Sequence, residues 1–170
     1  MSLKYYLIAC LFAVKMCWSQ NFMIQPKLKQ DALQKVKVLQ TDKTNDLNPV
    51  TVNADIVWSE DKSQLAIILK ASINPGWHTY AFVPDTEPYV AAEAQFTVPN
   101  GYLKHDKVEA SPSKPYENGV YIYEDQSYFI QYCKVEQPAK GVVSAGLYFQ
   151  VCDARKCFPP VLLSKEIIIN

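Results

Sequence analysis

From Val50 onward, apolar and polar residues alternate with a period of two. Val50, Val52, Ala54, Ile56 and Trp58 share one face, with Thr51, Asn53 and Asp55 on the other. Such alternation predicts a strand buried on one side. Leu65 to Ile73 is apolar nearly throughout and predicts a central strand. Asn74-Pro75-Gly76 predicts a turn, and Trp77 to Phe82 a third strand. Pro99-Asn100-Gly101 separates predicted strands over Ala94–Val98 and Tyr102–Val108. Strands over Tyr121–Tyr123, Tyr128–Val135, Val142–Cys152 and Leu162–Ile169 complete the set. Glu136 to Gly141, with Pro138 inside, reads as the turn between two of them. Aromatic and β-branched residues fill these runs, as pleated surfaces favour. Many short strands, near-regular turn signals and no long amphipathic helix in residues 50–170 predict an all-β antiparallel β-sandwich.

The first 47 residues follow a different pattern. Residues 20–47 are polar and rich in lysine and glutamine. They predict a short polar N-terminal arm, with a little helix around Asp31–Val38 whose buried candidates are Leu33 and Val36. Residues 1–19 read as a cleavable signal peptide. Lys4 supplies the positive start, and Tyr5 to Val14 form an apolar stretch of ten residues, too short to span a bilayer. Cys17-Trp18-Ser19 fits a cleavage site that leaves Gln20 as the mature start, although Lys15 interrupts the apolar run. Leu7-Ile8-Ala9-Cys10 is similar to a lipoprotein cleavage box but comes too early in the chain. The expectation is an exported, soluble, monomeric protein with one domain over residues 48–170.

Without Lys4 and Lys15, 15 basic side chains face 17 acidic ones. A net charge of −2 offers no steering toward nucleic acid or an anionic membrane. Export matters more for the cysteines. Cys133, Cys152 and Cys157 remain after cleavage, in a compartment where a pair can persist as a disulfide.

Cys152 and Cys157 flank Asp153-Ala154-Arg155-Lys156 and precede Pro159-Pro160. A disulfide here closes so short a loop that chain entropy makes it worth only about 2 kcal/mol. It is a weak staple and a well-placed redox pair. Arg155 and Lys156 favour a thiolate electrostatically, and Asp153 opposes them in part. The spacing matches neither the thioredoxin motif nor a zinc knuckle, so no metal is expected. A purely structural disulfide is the competing reading. Cys133, within a strand, reads as a small buried hydrophobe left out of the pair.

The segment "YFQVCDARKCFPP", with "NPGWHTYAF" upstream and "YENGVYIYED" between, resembles the N-terminal periplasmic domain of the DsbD thiol:disulfide interchange family. The resemblance covers roughly residues 48–170 and is strongest at the cysteine-to-double-proline signature. It implies an immunoglobulin-like fold and a shuttle role. Such a domain takes electrons from a membrane-embedded donor through a thioredoxin-like domain and passes them to periplasmic oxidoreductases. The implied active pair is Cys152 and Cys157, with Cys157 forming the mixed disulfide with partners. Two features depart from the family. The loop between the cysteines is one residue shorter, and the chain ends just after the β-domain, so the membrane donor is expected to be a separate protein.

Tyr116, Glu117, His78, Tyr80 and Phe158 are the expected lining or cap of the pair. The family strand presents aromatic hydroxyls beside the cysteines, a pattern that Tyr80 matches. His78 stands where a tyrosine is common, and either serves as an ordinary strand histidine or biases a neighbouring thiolate. Tyr116-Glu117-Asn118-Gly119 reads either as a plain loop or as a cap whose Tyr116 ring shields the sulfurs, with Tyr121 in reserve. His105 reads as surface. The resulting expectation is a cofactor-free thiol:disulfide interchange protein with thioredoxin-like partners. The alternative is a non-enzymatic immunoglobulin-like binding module.

Overall fold

The computed structural model describes residues 22–170. The segment of residues 1–19 expected to be a signal peptide, its expected cleavage site and Cys10 lie outside the described residues. A helix α1 (Pro26–Val38) is followed by ten strands: β1 (Val50–Trp58), β2 (Gln64–Ile73), β3 (His78–Phe82), β4 (Glu93–Thr97), β5 (Tyr102–Ala110), β6 (Lys114–Pro115), β7 (Tyr121–Tyr123), β8 (Gln126–Val135), β9 (Gly141–Cys152) and β10 (Cys157–Ile169). They form two antiparallel sheets. One has the order β1-β2-β8-β5; the other runs β10-β9-β3-β7-β6, with β4 also paired to β9. The expected all-β sandwich is therefore observed.

The alternation in β1 places Val50, Val52, Ala54, Ile56 and Trp58 toward the space between the sheets. Leu65, Ile67 and Leu69 of β2, Phe129 of β8, and Leu147 and Phe149 of β9 meet them there. Cys133 lies in this core, free and fully buried, opposite Leu65 and Lys104. Burial pushes its thiol up to about 12, against a small opposing pull from Lys104. It behaves as the hydrophobe its strand position predicts.

β2 is buried on both faces because α1 covers its outer side. Ala66 and Ile68 of β2, with Ile130 and Tyr132 of β8, pack against Leu28, Ala32 and Val36. The helix thus begins at Pro26, earlier than Asp31, and its buried stripe is Leu28–Ala32–Val36, with Leu33 only partly covered. Three apolar positions one turn apart in a lysine- and glutamine-rich segment make a faint signal, and one of them is an alanine. Proline at the first helical position needs no N–H partner there. Docking is fixed by polar ties. Lys70 Nζ donates to the Val36 carbonyl at 2.9 Å, placing a cation at the helix C-terminus. The Gln25 N–H donates to Gln64 Oε1 at 3.0 Å, and Lys35 pairs with Asp55 at 2.9 Å.

Two further elements depart from the periodicity. β6 is too short to carry a repeat. β10 begins at Cys157, not at Leu162, and runs through Pro159 and Pro160. β10 ends its sheet, where missing N–H donors are tolerated, and its register shifts between Phe158 and Val161. Among the described residues, no helix is long and apolar enough to cross a membrane.

Candidate redox site

β9 ends at Cys152 and β10 begins at Cys157, so the two cysteines face each other across a tight turn. The turn closes without sulfur chemistry. The Asp153 N–H donates to the Lys156 carbonyl at 2.9 Å. The amides of Arg155 and Lys156 both donate to Asp153 Oδ1, each at 2.7 Å. These two bonds hold the Asp153 carboxyl below its ordinary range. Cys152 and Cys157 are joined in a disulfide, and Cys133 is not part of it.

The pair is asymmetric. Val151 points to the main core, so Cys152, one residue on, points to the outer face of the second sheet. There it joins Tyr80, Val120 and Ile122 in a separate small cluster. Cys152 is only 2% exposed, whereas Cys157 is exposed at the sheet edge. One sulfur of the bond is thus sheltered and the other open.

β3 brings His78 directly opposite Cys152. His78, Cys152 and Cys157 therefore occupy one row across three strands. Tyr80 lies two residues along β3, on the same face, with its hydroxyl 3.4 Å from His78 Nε2. Tyr89 stacks on Tyr80 at 4.5 Å. Burial, with Tyr89 and Tyr116 adding to it, pushes the Tyr80 phenol up to about 12, so it remains a donor. Burial holds His78 below its ordinary 6.5, opposed in part by Glu124 and Asp153. At neutral pH its imidazole is therefore uncharged.

Tyr116 enters from the tip of the β6–β7 hairpin. Its N–H donates to the Val120 carbonyl at 2.7 Å, and the Val120 N–H donates to the Glu117 carbonyl at 3.0 Å. Asn118 and Gly119 sit in the left-handed region, at φ 53° and 77°, which closes this turn. The Tyr116 ring lies 5.1 Å from the His78 ring and is 44% exposed. Its observed ring contact is thus the imidazole next to Cys152. Glu117 is exposed and serves the turn through its carbonyl. Tyr121, the reserve cap, packs edge-on against Phe82 at 6.4 Å, away from this cluster.

Phe158 and Lys156 are placed differently from expectation. Phe158 pairs with Val151, faces the main core and stacks on Trp77 at 5.1 Å. It anchors the strand that carries Cys157 but is not on the sulfur-bearing face, because successive strand residues alternate. Lys156 extends its ammonium over these rings, 5.4 Å from Trp77 and 4.9 Å from Phe158. Its charge is engaged by an aromatic pair. His105, expected at the surface, is half-buried against Phe22 at 5.3 Å. Tyr89, Val120 and Ile122 complete the site, and the sequence pattern alone does not point to them. Tyr89 lies in an irregular stretch without periodicity, whereas Val120 and Ile122 bracket Tyr121 with the period of a strand.

No protein family's sequence profile matches the chain, and no curated protein matches it. Its fold class is the antiparallel β-sandwich, and solved structures of that kind are similar to it. The DsbD N-terminal domain of Neisseria meningitidis in its reduced form has 15% identity and a TM-score of 0.39, covering 67% of this chain and 91% of that one. The complex of the DsbD N-terminal and PilB N-terminal domains from the same organism gives 16% identity and a TM-score of 0.44, covering 75% and 91%. The GAE domain of GGA2p from Saccharomyces cerevisiae gives 8% identity and a TM-score of 0.40, covering 77% and 98%. At such identities the likeness is one of fold, and the chemistry has to be read from the site.

Proposed function

We propose that this protein is an exported thiol:disulfide interchange protein that works through the Cys152–Cys157 bond, as its resemblance to DsbD N-terminal domains implies. The observation that carries the reading is the asymmetry of the bond. In the reduced protein, the exposed Cys157 thiolate attacks a partner's disulfide and forms a mixed disulfide, releasing one partner sulfur as a thiolate. Cys152 then gives up its proton and attacks Cys157 Sγ. The Cys152–Cys157 bond re-forms, and the second partner sulfur leaves as a thiolate that takes up a proton. The partner is reduced by two electrons, and the cysteine pair is oxidised by two.

Burial makes the Cys152 step the demanding one, since a thiolate in an apolar cluster is costly. In this reading the neutral imidazole of His78, across the strand pair from Cys152, accepts the Cys152 proton, and the Tyr80 hydroxyl beside it orients the ring. The chemistry needs no cofactor. The exposed edge at Cys157 suits a folded partner. The partners in this reading are thioredoxin-like proteins, with a separate membrane protein as electron donor, in the periplasm.

A redox titration tests the proposal. The pair should show a reduction potential above about −300 mV, where exchange with cellular dithiols is possible. A lower potential would favour the binding module, in which the bond only holds a hairpin.

Tyr116 offers a second test. Its ring covers His78 from an exposed loop, so Tyr116→Ala should open the approach to the pair. Reduction by glutathione should speed up by about threefold or more, while the melting temperature stays nearly constant because the ring is largely exposed. An unchanged rate would remove Tyr116 from the shielding role.

A further inference from the structure

Cys157 stands at a weakly held strand end. Cys157 and Phe158 pair with Cys152 and Val151, and the register then shifts. Pro159 and Pro160 follow, and neither can donate a backbone hydrogen bond. Reduction of the disulfide removes the covalent tie at this end. How often the Cys157 sulfur then returns to Cys152 depends on what else holds its backbone.

Trp77 meets the residues on both sides of that cysteine. Cys157 lies on the outer face of the sheet, and its two chain neighbours reach the opposite face. Phe158 stacks on the Trp77 ring at 5.1 Å, with 25° between the planes, and Lys156 Nζ lies 5.4 Å from the same ring. The indole is itself fixed. It is buried, its Nε1–H donates to Asp46 Oδ1 at 3.3 Å, and the Trp77 backbone N–H donates to the Asn74 carbonyl at 3.0 Å. Asn74 Nδ2 donates to the same Asp46 oxygen at 2.9 Å, which ties the turn before β3 to the segment before β1. His78, the next residue, pairs with Cys152, so one dipeptide of the chain registers both cysteines.

We propose, building on the interchange reading of the pair, that Trp77 is a positioning residue: gripped by Lys156 and Phe158, its indole keeps Cys157 in register with Cys152 in the reduced protein. A held Cys157 meets Cys152 more often, which favours the disulfide and lowers the reduction potential. Loosening the grip raises the potential. Electrostatics alone acts in the opposite sense. Removing the Lys156 charge leaves a thiolate less stabilised, which favours the disulfide and lowers the potential. The sign of the change separates the two effects.

Equilibration of the protein with graded ratios of reduced and oxidised dithiothreitol, followed by alkylation and mass spectrometry, reads the potential. Each reduced dithiothreitol passes two electrons and two protons to the pair and becomes its own cyclic disulfide. Trp77→Leu should lower the equilibrium constant for disulfide formation about tenfold, raising the potential by about 30 mV. Trp77→Phe keeps an aromatic face for Phe158 and Lys156 and should stay within about twofold of the unaltered protein. Lys156→Gln should lower the constant about threefold, raising the potential by about 15 mV, and Lys156→Arg should restore it. A lower melting temperature with an unchanged potential in Trp77→Leu would make Trp77 an ordinary core residue and overturn the proposal. An unchanged or lower potential in Lys156→Gln overturns it as well. Should Trp77→Leu fold poorly, the exposed Lys156 decides alone. The absolute potential of the unaltered protein bears on the interchange reading and the differences between variants bear on Trp77, so either can fail without the other.

Discussion

Replacing Cys152 by alanine is expected to give a protein that captures a thioredoxin-like partner through Cys157 and does not release it. Cys157 is the exposed sulfur, so it alone meets the partner. Resolution of the mixed disulfide needs Cys152, which β9 holds opposite Cys157 in the hairpin register. With that sulfur absent, the covalent complex persists until an external thiol cleaves it. The measurement is non-reducing electrophoresis after mixing the reduced variant with an oxidised thioredoxin-like protein. A covalent complex should accumulate in Cys152→Ala, and Cys157→Ala should give none. Trapping by Cys157→Ala alone would exchange the two roles. No trapping by either would point to a bond that only fastens the hairpin.

The largest effect on stability is expected far from the sulfurs, at Leu28. This residue is 1% exposed between α1 and the outer face of the first sheet, against Ile68, Ile130 and Tyr132. Leu28→Ala should cost about 2–5 kcal/mol, from lost transfer free energy plus the cavity left behind. For a domain of this size that corresponds to a melting temperature lower by roughly 5–15 °C. Urea unfolding followed by tryptophan fluorescence would measure it, with the m-value unchanged. The intrinsic reactivity of the pair toward glutathione should hold, because the disulfide lies on the opposite sheet. A loss below about 0.5 kcal/mol, the range of ordinary surface substitutions, would mean that the helix is only loosely docked.

The helix shows why some of the fold was legible and some was not. β1 and β2 could be read directly, since a period of two and a continuous apolar run are properties of the sequence itself. The stripe of α1 could not be read in full. Leu28, Ala32 and Val36 become a buried face only because β2 and β8 present Ala66, Ile68, Ile130 and Tyr132 on their outer side. Lys70 is a similar case. Within an apolar run it looks like an interruption, and it is retained because its ammonium reaches the last turn of the helix.

The candidate site divides along the same line. The sequence by itself determined the sandwich class, the pairing of Cys152 with Cys157, and the isolation of Cys133, because strand periodicity and local spacing are enough for these. Tertiary structure alone decided which sulfur is open. It did so through strand register, which sets His78 opposite Cys152 and leaves Cys157 at the edge. It also turned Phe158 and Lys156 away from the sulfurs, since alternation along β10 and the rings of Trp77 and Phe158 determine where those side chains go. Pairing between strands distant in sequence is a non-local property, and a one-residue change of register would reverse every one of these placements.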